Sequence, residues 1–156
     1  MKNIFPLKNK AYQYYFDLAI TFGLVLIDQL VKQVFLHQLA SSQKVGGKWF
    51  YLELVLNRGA IWGINLNQLV IIGGTIVILG LLTLYYFRHF RTVYLINRFG
   101  FLLVFAGALA NLIDRLFRGR VVDWLHLSSW PAFNLADLFL IGGVIWILCL
   151  LFKRQR

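Results

Sequence analysis

Charge, acid and cysteine are all scarce in this chain. Only 14% of its 156 residues are charged, against about 25% in soluble globular domains, while 60% are apolar, against about 45–50%. A water-soluble fold is excluded by that balance. The lone cysteine, Cys149, rules out an internal disulfide framework and any Cys-based zinc or iron–sulfur centre. Six Asp+Glu stand against 16 Lys+Arg, for a formal net charge of +10. In a soluble domain that excess would indicate nucleic acid. With this apolar content the expected partner is lipid, and no nucleic acid is expected.

Uncharged runs are what the chain has instead, and a hydrocarbon core about 30 Å thick needs about 20 helical residues to cross. Leu69 to Phe87 carries no charge at all, and its glycines suit close helix contact. Three more runs qualify when flanking residues are included, giving spans of about 17–36, 69–87, 94–113 and 135–152 in one membrane domain, 1–156. The first run is a retained span rather than a cleaved signal, because Asp28, Lys32 and His37 separate it from the small residues Ala40, Ser41 and Ser42. Nine of the sixteen basic residues lie at Lys2, Lys8, Lys10, Arg88, Arg91, Arg98, Lys153, Arg154 and Arg156, which predicts both termini in the cytoplasm. The connection after span one holds Lys48-Trp-Phe-Tyr-Leu-Glu-Leu-Val-Leu56 behind a Gly46-Gly47 turn, and predicts a small extracytoplasmic β-sheet. The fold class is therefore an all-α integral membrane protein of four transmembrane helices with that sheet between helices one and two.

Each acid in such a chain is a suspect, since an ion at membrane depth is expensive. Asp28 and Lys32, four apart on one helix face, read as a structural ion pair. Asp17, at the cytoplasmic entrance of span one, reads as a solvated end residue. Asn111, Asp114, Arg115, Asp123, Asn134 and Asp137 crowd into 27 residues at the other ends of spans three and four. Asp114-Arg115 admits a plainer reading as a solvated boundary, and Arg118-Gly119-Arg120 as a lipid headgroup anchor. Asn134 and Asp137 also match a helix capping box. Two carboxylates near one another at an apolar boundary share a proton, which makes an acid and a base at neutral pH. Other hydrolytic routes fit less well: Gly-x-Ser-x-Gly and His-Glu-x-x-His are absent, and His37, His89 and His126 are dispersed. Magnesium held by two Asp with lipid phosphates stays open.

Five blocks occur in an order and spacing that resemble the lipoprotein signal peptidases, the type II signal peptidases. They are Asp28-Gln-Leu-Val-Lys32, Asn57-Arg-Gly59-Ala-Ile-Trp-Gly63, Gly107-Ala-Leu-Ala-Asn111-Leu-Ile-Asp114-Arg115, Val121-Val-Asp123-Trp124 and Pro131-Ala-Phe-Asn134-Leu-Ala-Asp137. The resemblance covers most of the chain. It implies an aspartic endopeptidase of the bacterial cytoplasmic membrane, working at the extracytoplasmic face, which cleaves diacylglyceryl-modified prolipoproteins just before the lipidated Cys. By motif position it implies Asp123 and Asp137 as the catalytic pair, and Asn57, Gly59, Asn111, Asp114, Arg115 and Asn134 as the surround that binds substrate or orients the pair. It implies no metal or organic cofactor, and a monomer whose partners are diacylated prolipoproteins and membrane lipids. Ile61-Trp62 and His126 depart from the family's usual residues, which bears on substrate fit. Two other classes remain to be separated from it: a small proton-coupled carrier, which would need a polar path to both faces, and a magnesium-dependent lipid-headgroup transferase.

Overall fold

A computed structural model describes residues 10–38, 44–59, 66–89 and 95–154. Ile61, Trp62 and Gly63 of the second block, and the chain ends that carry Lys2, Lys8 and Arg156, lie outside these residues. The order of elements is α1 (Lys10–Gln38), β1 (Val45–Gly46), β2 (Phe50–Asn57), α2 (Gln68–His89), α3 (Leu95–Arg118), β3 (Val121–Leu127) and α4 (Leu135–Arg154). All four helices are long and apolar enough to cross a bilayer.

Helix α1 shows how a sequence with few charges folds in lipid. Its buried residues Gln13, Asp17, Thr21, Val25, Asp28 and Lys32 recur every three or four positions and form one stripe. The opposite face, with Tyr15, Leu18, Phe22, Ile27 and Leu30, is apolar and exposed to the bilayer. The usual pattern of a soluble helix is thus inverted, because here the outside is hydrocarbon and the polar groups can be satisfied only within the bundle.

Helix α3 is the central element and lies against α1, α2 and α4. It runs on to Arg118, beyond the expected end near 113. The extension holds because Asp114, Arg115 and Arg118 all find partners in the fold. Gly119, with φ of +71°, then ends it in the left-handed conformation common after a helix.

The closest helix contact is that of α3 with α4, and glycine makes it. A Cβ on Gly107 would stand 2.4 Å from the Ala136 carbonyl oxygen, and one on Gly143 would stand 2.5 Å from that of Gly100. By contrast Gly73, Gly74 and Gly80 of α2 have nothing within 4 Å of the added atom. The glycines of α2 thus make no close helix contact, and the tight packing lies between α3 and α4, at the small-residue stretch that begins with Gly107. Asn67 caps α2, its side-chain oxygen accepting from the Leu69 N–H at 2.9 Å.

The expected sheet is present and has a third strand. β1 pairs with β2 and β2 with β3, all antiparallel. The third strand comes from the α3–α4 connection, and its pairing sets Asp123 opposite Val55 and Val121 opposite Asn57. Beyond it, Leu125 and Phe133 exchange hydrogen bonds of 2.9 and 3.0 Å, which bring the chain back to the start of α4. One short sheet thereby joins the α1–α2 connection to the α3–α4 connection.

Gly107→Ala and Gly143→Ala should each destabilise the protein by about 1–3 kcal/mol, the cost of overpacking a tight contact. Gly73→Ala, in open space on a helix, should be neutral or stabilising. Thermal unfolding in one detergent compares the three, and equal melting temperatures would contradict the α3–α4 packing.

Candidate active site

Strand β3 and the first turn of α4 bring the two suspected carboxylates to one side-chain network. Asp123 is 2% exposed. Its Oδ1 accepts from Asn134 Nδ2 at 2.7 Å and its Oδ2 from Asn57 Nδ2 at 2.9 Å. Asp137 Oδ1 accepts from Asn111 Nδ2 at 2.8 Å, and its Oδ2 from the Asn134 backbone N–H at 3.2 Å. The Asp137 N–H returns a bond to Asn134 Oδ1 at 3.0 Å. The capping box read from the sequence is therefore formed, and it engages one carboxylate oxygen while the other faces Asn111. Asn134, fully buried, holds both acids at once.

Burial pushes the Asp123 carboxyl up to about 7, and the neighbouring Asp137 charge pushes the same way, against the hydrogen bond from Asn57. Asp123 is thus poised to keep a proton at neutral pH. Asp137 sits at the N-terminus of α4, where the helix dipole favours negative charge.

Behind the acids lies a second layer that the sequence read only as a pair. Lys32 Nζ lies 2.8 Å from Asp28 Oδ2 and 2.8 Å from Asp114 Oδ2, and all three side chains are fully buried. The ammonium donates a third bond, of 3.0 Å, to Asn111 Oδ1. Lysine can only donate, so this contact fixes which end of the Asn111 amide faces it and turns the NH2 group toward Asp137. Asp28 Oδ1 accepts from the Ala136 N–H at 2.9 Å, and Asp114 Oδ2 from the Val122 N–H at 3.2 Å. The two carboxylates that hold Lys32 thus also grip the backbone next to each suspected catalytic acid.

Arg115 donates to the Gly59 carbonyl at 3.2 Å, and the Gly59 N–H donates to Asn57 Oδ1 at 2.9 Å. Asn57, Gly59, Asn111, Asp114, Arg115, Asn134, Asp28 and Lys32 therefore all join the network around Asp123 and Asp137. Two residues of it escaped the sequence reading. Gln29 donates to Asp114 Oδ1 and to the Ala110 carbonyl, both at 3.2 Å. Arg118 pairs with Asp114 and donates to Gln29 Oε1 at 2.6 Å. The spacing of Arg118, four residues after Asp114 on one helix, was a signal that could have found it. Asp114 is no solvated boundary and Arg118 no free headgroup anchor, because each is the other's partner.

Asp17 is a further correction. Only 3% exposed, it is no solvated end residue: Oδ2 accepts from the Tyr86 hydroxyl and lies 3.0 Å from Arg98 NH1. Arg98, counted above among the basic residues that predict the orientation, is itself buried in α3. Burying the ion pair together satisfies charges that lipid would not.

The model for the family described as signal peptidase (SPase) II matches residues 20–153. A lipoprotein signal peptidase of Moorella thermoacetica is 39% identical over 134 residues, covering 85% of this chain and 89% of that one. One of Staphylococcus carnosus is 36% identical over 157 residues, covering 94% and 97%. A solved bacterial membrane enzyme superposes with a TM-score of 0.80 at 32% identity, covering 89% of this chain and 88% of the other. A second such structure gives 0.78, also at 32% identity.

Two outcomes follow from the buried charges. The folded protein retains a proton on Asp123 that the unfolded chain has shed above about pH 4, so this carboxyl's contribution to stability is full at low pH and is lost as pH rises through about 7. Asp123→Asn carries no such titration, so its melting temperature relative to the parent should rise between pH 5 and pH 8. Parallel pH curves would contradict the assignment. Lys32→Met, which leaves Asp28 and Asp114 facing each other without a cation, should cost about 3–5 kcal/mol, and Asp28→Asn less, because Asp114 still holds Lys32. Chemical unfolding in mixed micelles would rank the two, and the reverse order would contradict the shared role of Lys32.

Proposed function

Because the chain belongs to the signal peptidase II family, we propose that Asp123 and Asp137 are its catalytic pair, acting as acid and base on one peptide bond. The protein is a membrane-embedded aspartic endopeptidase that removes signal peptides from prolipoproteins. The observation that supports the pair is the bridge through Asn134, which ties two acids from different elements into one network, one of them with its carboxyl pushed by burial up to about 7.

The chemistry needs no covalent intermediate. The Asp137 carboxylate takes a proton from water as the oxygen attacks the scissile carbonyl carbon, and the Asp123 carboxyl gives its proton to the carbonyl oxygen. The tetrahedral intermediate collapses as the C–N bond breaks, and the proton held by Asp137 passes to the leaving nitrogen. The intermediate's hydroxyl proton returns to Asp123. Asn57, Asn111 and Asn134 hold the carboxylates in place, so little reorganisation accompanies proton transfer. Arg115 and Gly59 form the adjoining wall against which substrate backbone lies.

The substrate is a signal helix in the bilayer with a diacylglyceryl group on the Cys after the scissile bond, entering laterally between helices. The enzyme acts as a monomer in the bacterial cytoplasmic membrane, with both termini inside and the pair at the external surface. The clustering of basic residues at the chain ends and around His89 supports this orientation. Among the described residues the carrier reading finds no continuous polar path. The cluster at Asp17 and the one at Asp28 lie on the same stripe of α1, but the apolar contacts of Val25 with Ala106 and Ala110 come between them.

Asp123→Asn and Asp137→Asn should each lower cleavage of a purified diacylated prolipoprotein at least about a hundredfold while leaving the protein folded. The double variant should be scarcely worse, since the two act as a unit. Parent activity should persist in excess chelator, and tags on both termini should be protected from protease outside intact cells. Near-normal turnover by Asp137→Asn with a lowered melting temperature would reduce Asp137 to a helix cap. Magnesium-dependent activity would favour the transferase class.

A further inference from the structure

Two arginines at the sheet end of the bundle have no counterpart in the chain. Arg98, Arg115 and Arg118 of α3 each meet an acid or a carbonyl of the fold. Arg58, which is exposed, and Arg120, which is half-buried, have no hydrogen-bond or ion-pair partner among the described residues. No carboxylate is left for them. Asp28 and Asp114 are taken by Lys32, Asp17 by Arg98, Glu53 by Lys44, and Asp123 and Asp137 by the asparagines around them.

The backbone sets the two arginines side by side. Asn57 and Val121 are partners at the end of the β2–β3 pairing. Arg58, one residue on, and Arg120, one residue back, therefore occupy the next positions of two antiparallel chains. Both segments are held to α3. Arg115 donates to the Gly59 carbonyl at 3.2 Å, just after Arg58, and Arg120 follows the Gly119 turn that closes the helix. Like charges placed opposite one another across two strands repel, and within this chain nothing offsets that cost. An anion with several oxygens does offset it, and the planar fork of arginine matches phosphate in two-point contacts.

The surroundings indicate where such a phosphate comes from. In the last turn of α3, Leu116 is 54% and Phe117 83% exposed. Apolar side chains of that size, at the end of a helix long enough to cross a bilayer, belong against hydrocarbon. Arg120 is only three residues beyond Phe117, so the arginines stand where the apolar span gives way to headgroups. Basic residues at that level attract anionic lipid. Of the headgroup anchor read at Arg118 and Arg120, Arg118 is withdrawn into the fold by Asp114, while Arg120 keeps the role and gains Arg58.

We propose that Arg58 and Arg120 together bind the phosphodiester of an anionic phospholipid headgroup, with the acyl chains of that lipid alongside Leu116 and Phe117. Neither arginine joins the hydrogen bonds around Asp123 and Asp137, so the site does not depend on the roles assigned to those acids, nor on which face of the membrane it occupies.

The test uses the full chain in phosphatidylcholine nanodiscs containing, at equal mole fraction, either phosphatidylglycerol or phosphatidylcholine with a diazirine at the head of one acyl chain. Cross-links are located by peptide mapping. Phosphatidylglycerol should label segments 57–59 and 116–121 at least about tenfold more than phosphatidylcholine, the scale set by two basic residues beside one anionic headgroup. Arg58→Gln and Arg120→Gln should each remove most of that preference, whereas Lys48→Gln, at an exposed basic residue of the turn between β1 and β2, should leave it intact. Arg120→Gln should still cleave prolipoprotein at the parent rate in phosphatidylcholine, which reports its folding. Equal labelling by the two lipids would overturn the site whatever the variants do. So would a preference spread over every basic segment, or one lowered as much by Lys48→Gln, since either is the general attraction of a chain of net charge +10. Loss of the label in excess inorganic phosphate at constant ionic strength would overturn the lipid as the source and give the arginines to a free anion.

Discussion

The ammonium of Lys32 is the interaction on which the rest of this structure depends. It is one cation, fully buried, shared by carboxylates from two helices and by an asparagine from α3. A lone ammonium at that depth would be prohibitively costly, and so would either carboxylate. Held together they are stable, and the remaining lone pairs of Asp28 and Asp114 then bind the N–H groups of Ala136 and Val122. These backbone sites adjoin Asp137 and Asp123 in sequence. An ion network that looks structural therefore sets the position of both acids, and its third bond sets the orientation of Asn111 between them.

This arrangement explains why few charges suffice. In water, a polar side chain can be satisfied anywhere on the surface. In lipid, every ionisable group must be satisfied by another part of the chain. All six acids have partners in the fold: Asp17 reaches α2 and α3, Asp28 α4, Asp114 α1 and β3, Asp123 β2, and Asp137 α3, while Glu53 on the sheet pairs with Lys44. The scarcity of acid noted in the sequence is thus accompanied by a dense use of each one.

What could be read from the residues follows from the range of the forces involved. The spans at α2 and α4 were legible because a run without charge has one solution in a bilayer. The Asp28–Lys32 pair was legible because its spacing is local. The end of α3 was not, since Asp114, Arg115 and Arg118 resemble an aqueous boundary until Lys32, Gly59 and Gln29, all distant in sequence, are brought beside them. Asp17 was misread for the same reason, its partners Tyr86 and Arg98 coming from two other helices. Strand β3 was missed because Val121 to Leu127 is short and interrupted by Asp123 and His126, so only its pairing with β2 makes it a strand. The motif blocks led to the residues around both acids without indicating how they connect.

At Asp137 the cap engages one carboxylate oxygen and leaves the other turned to Asn111, so the helix-capping contact and the proposed catalytic role use different oxygens. A helix N-terminus offers unpaired N–H groups and a favourable field for an anion. The cap uses Oδ2, while Oδ1 turns to Asn111. Asp123 has no helix behind it, only a strand, two amides and deep burial, and burial favours the protonated form. The same residue type therefore meets different surroundings on the two elements that carry it. A carboxyl group on a helix end and another on a buried strand, joined by Asn134, therefore stand in unlike surroundings, and the acid and base roles proposed for them rest on that asymmetry.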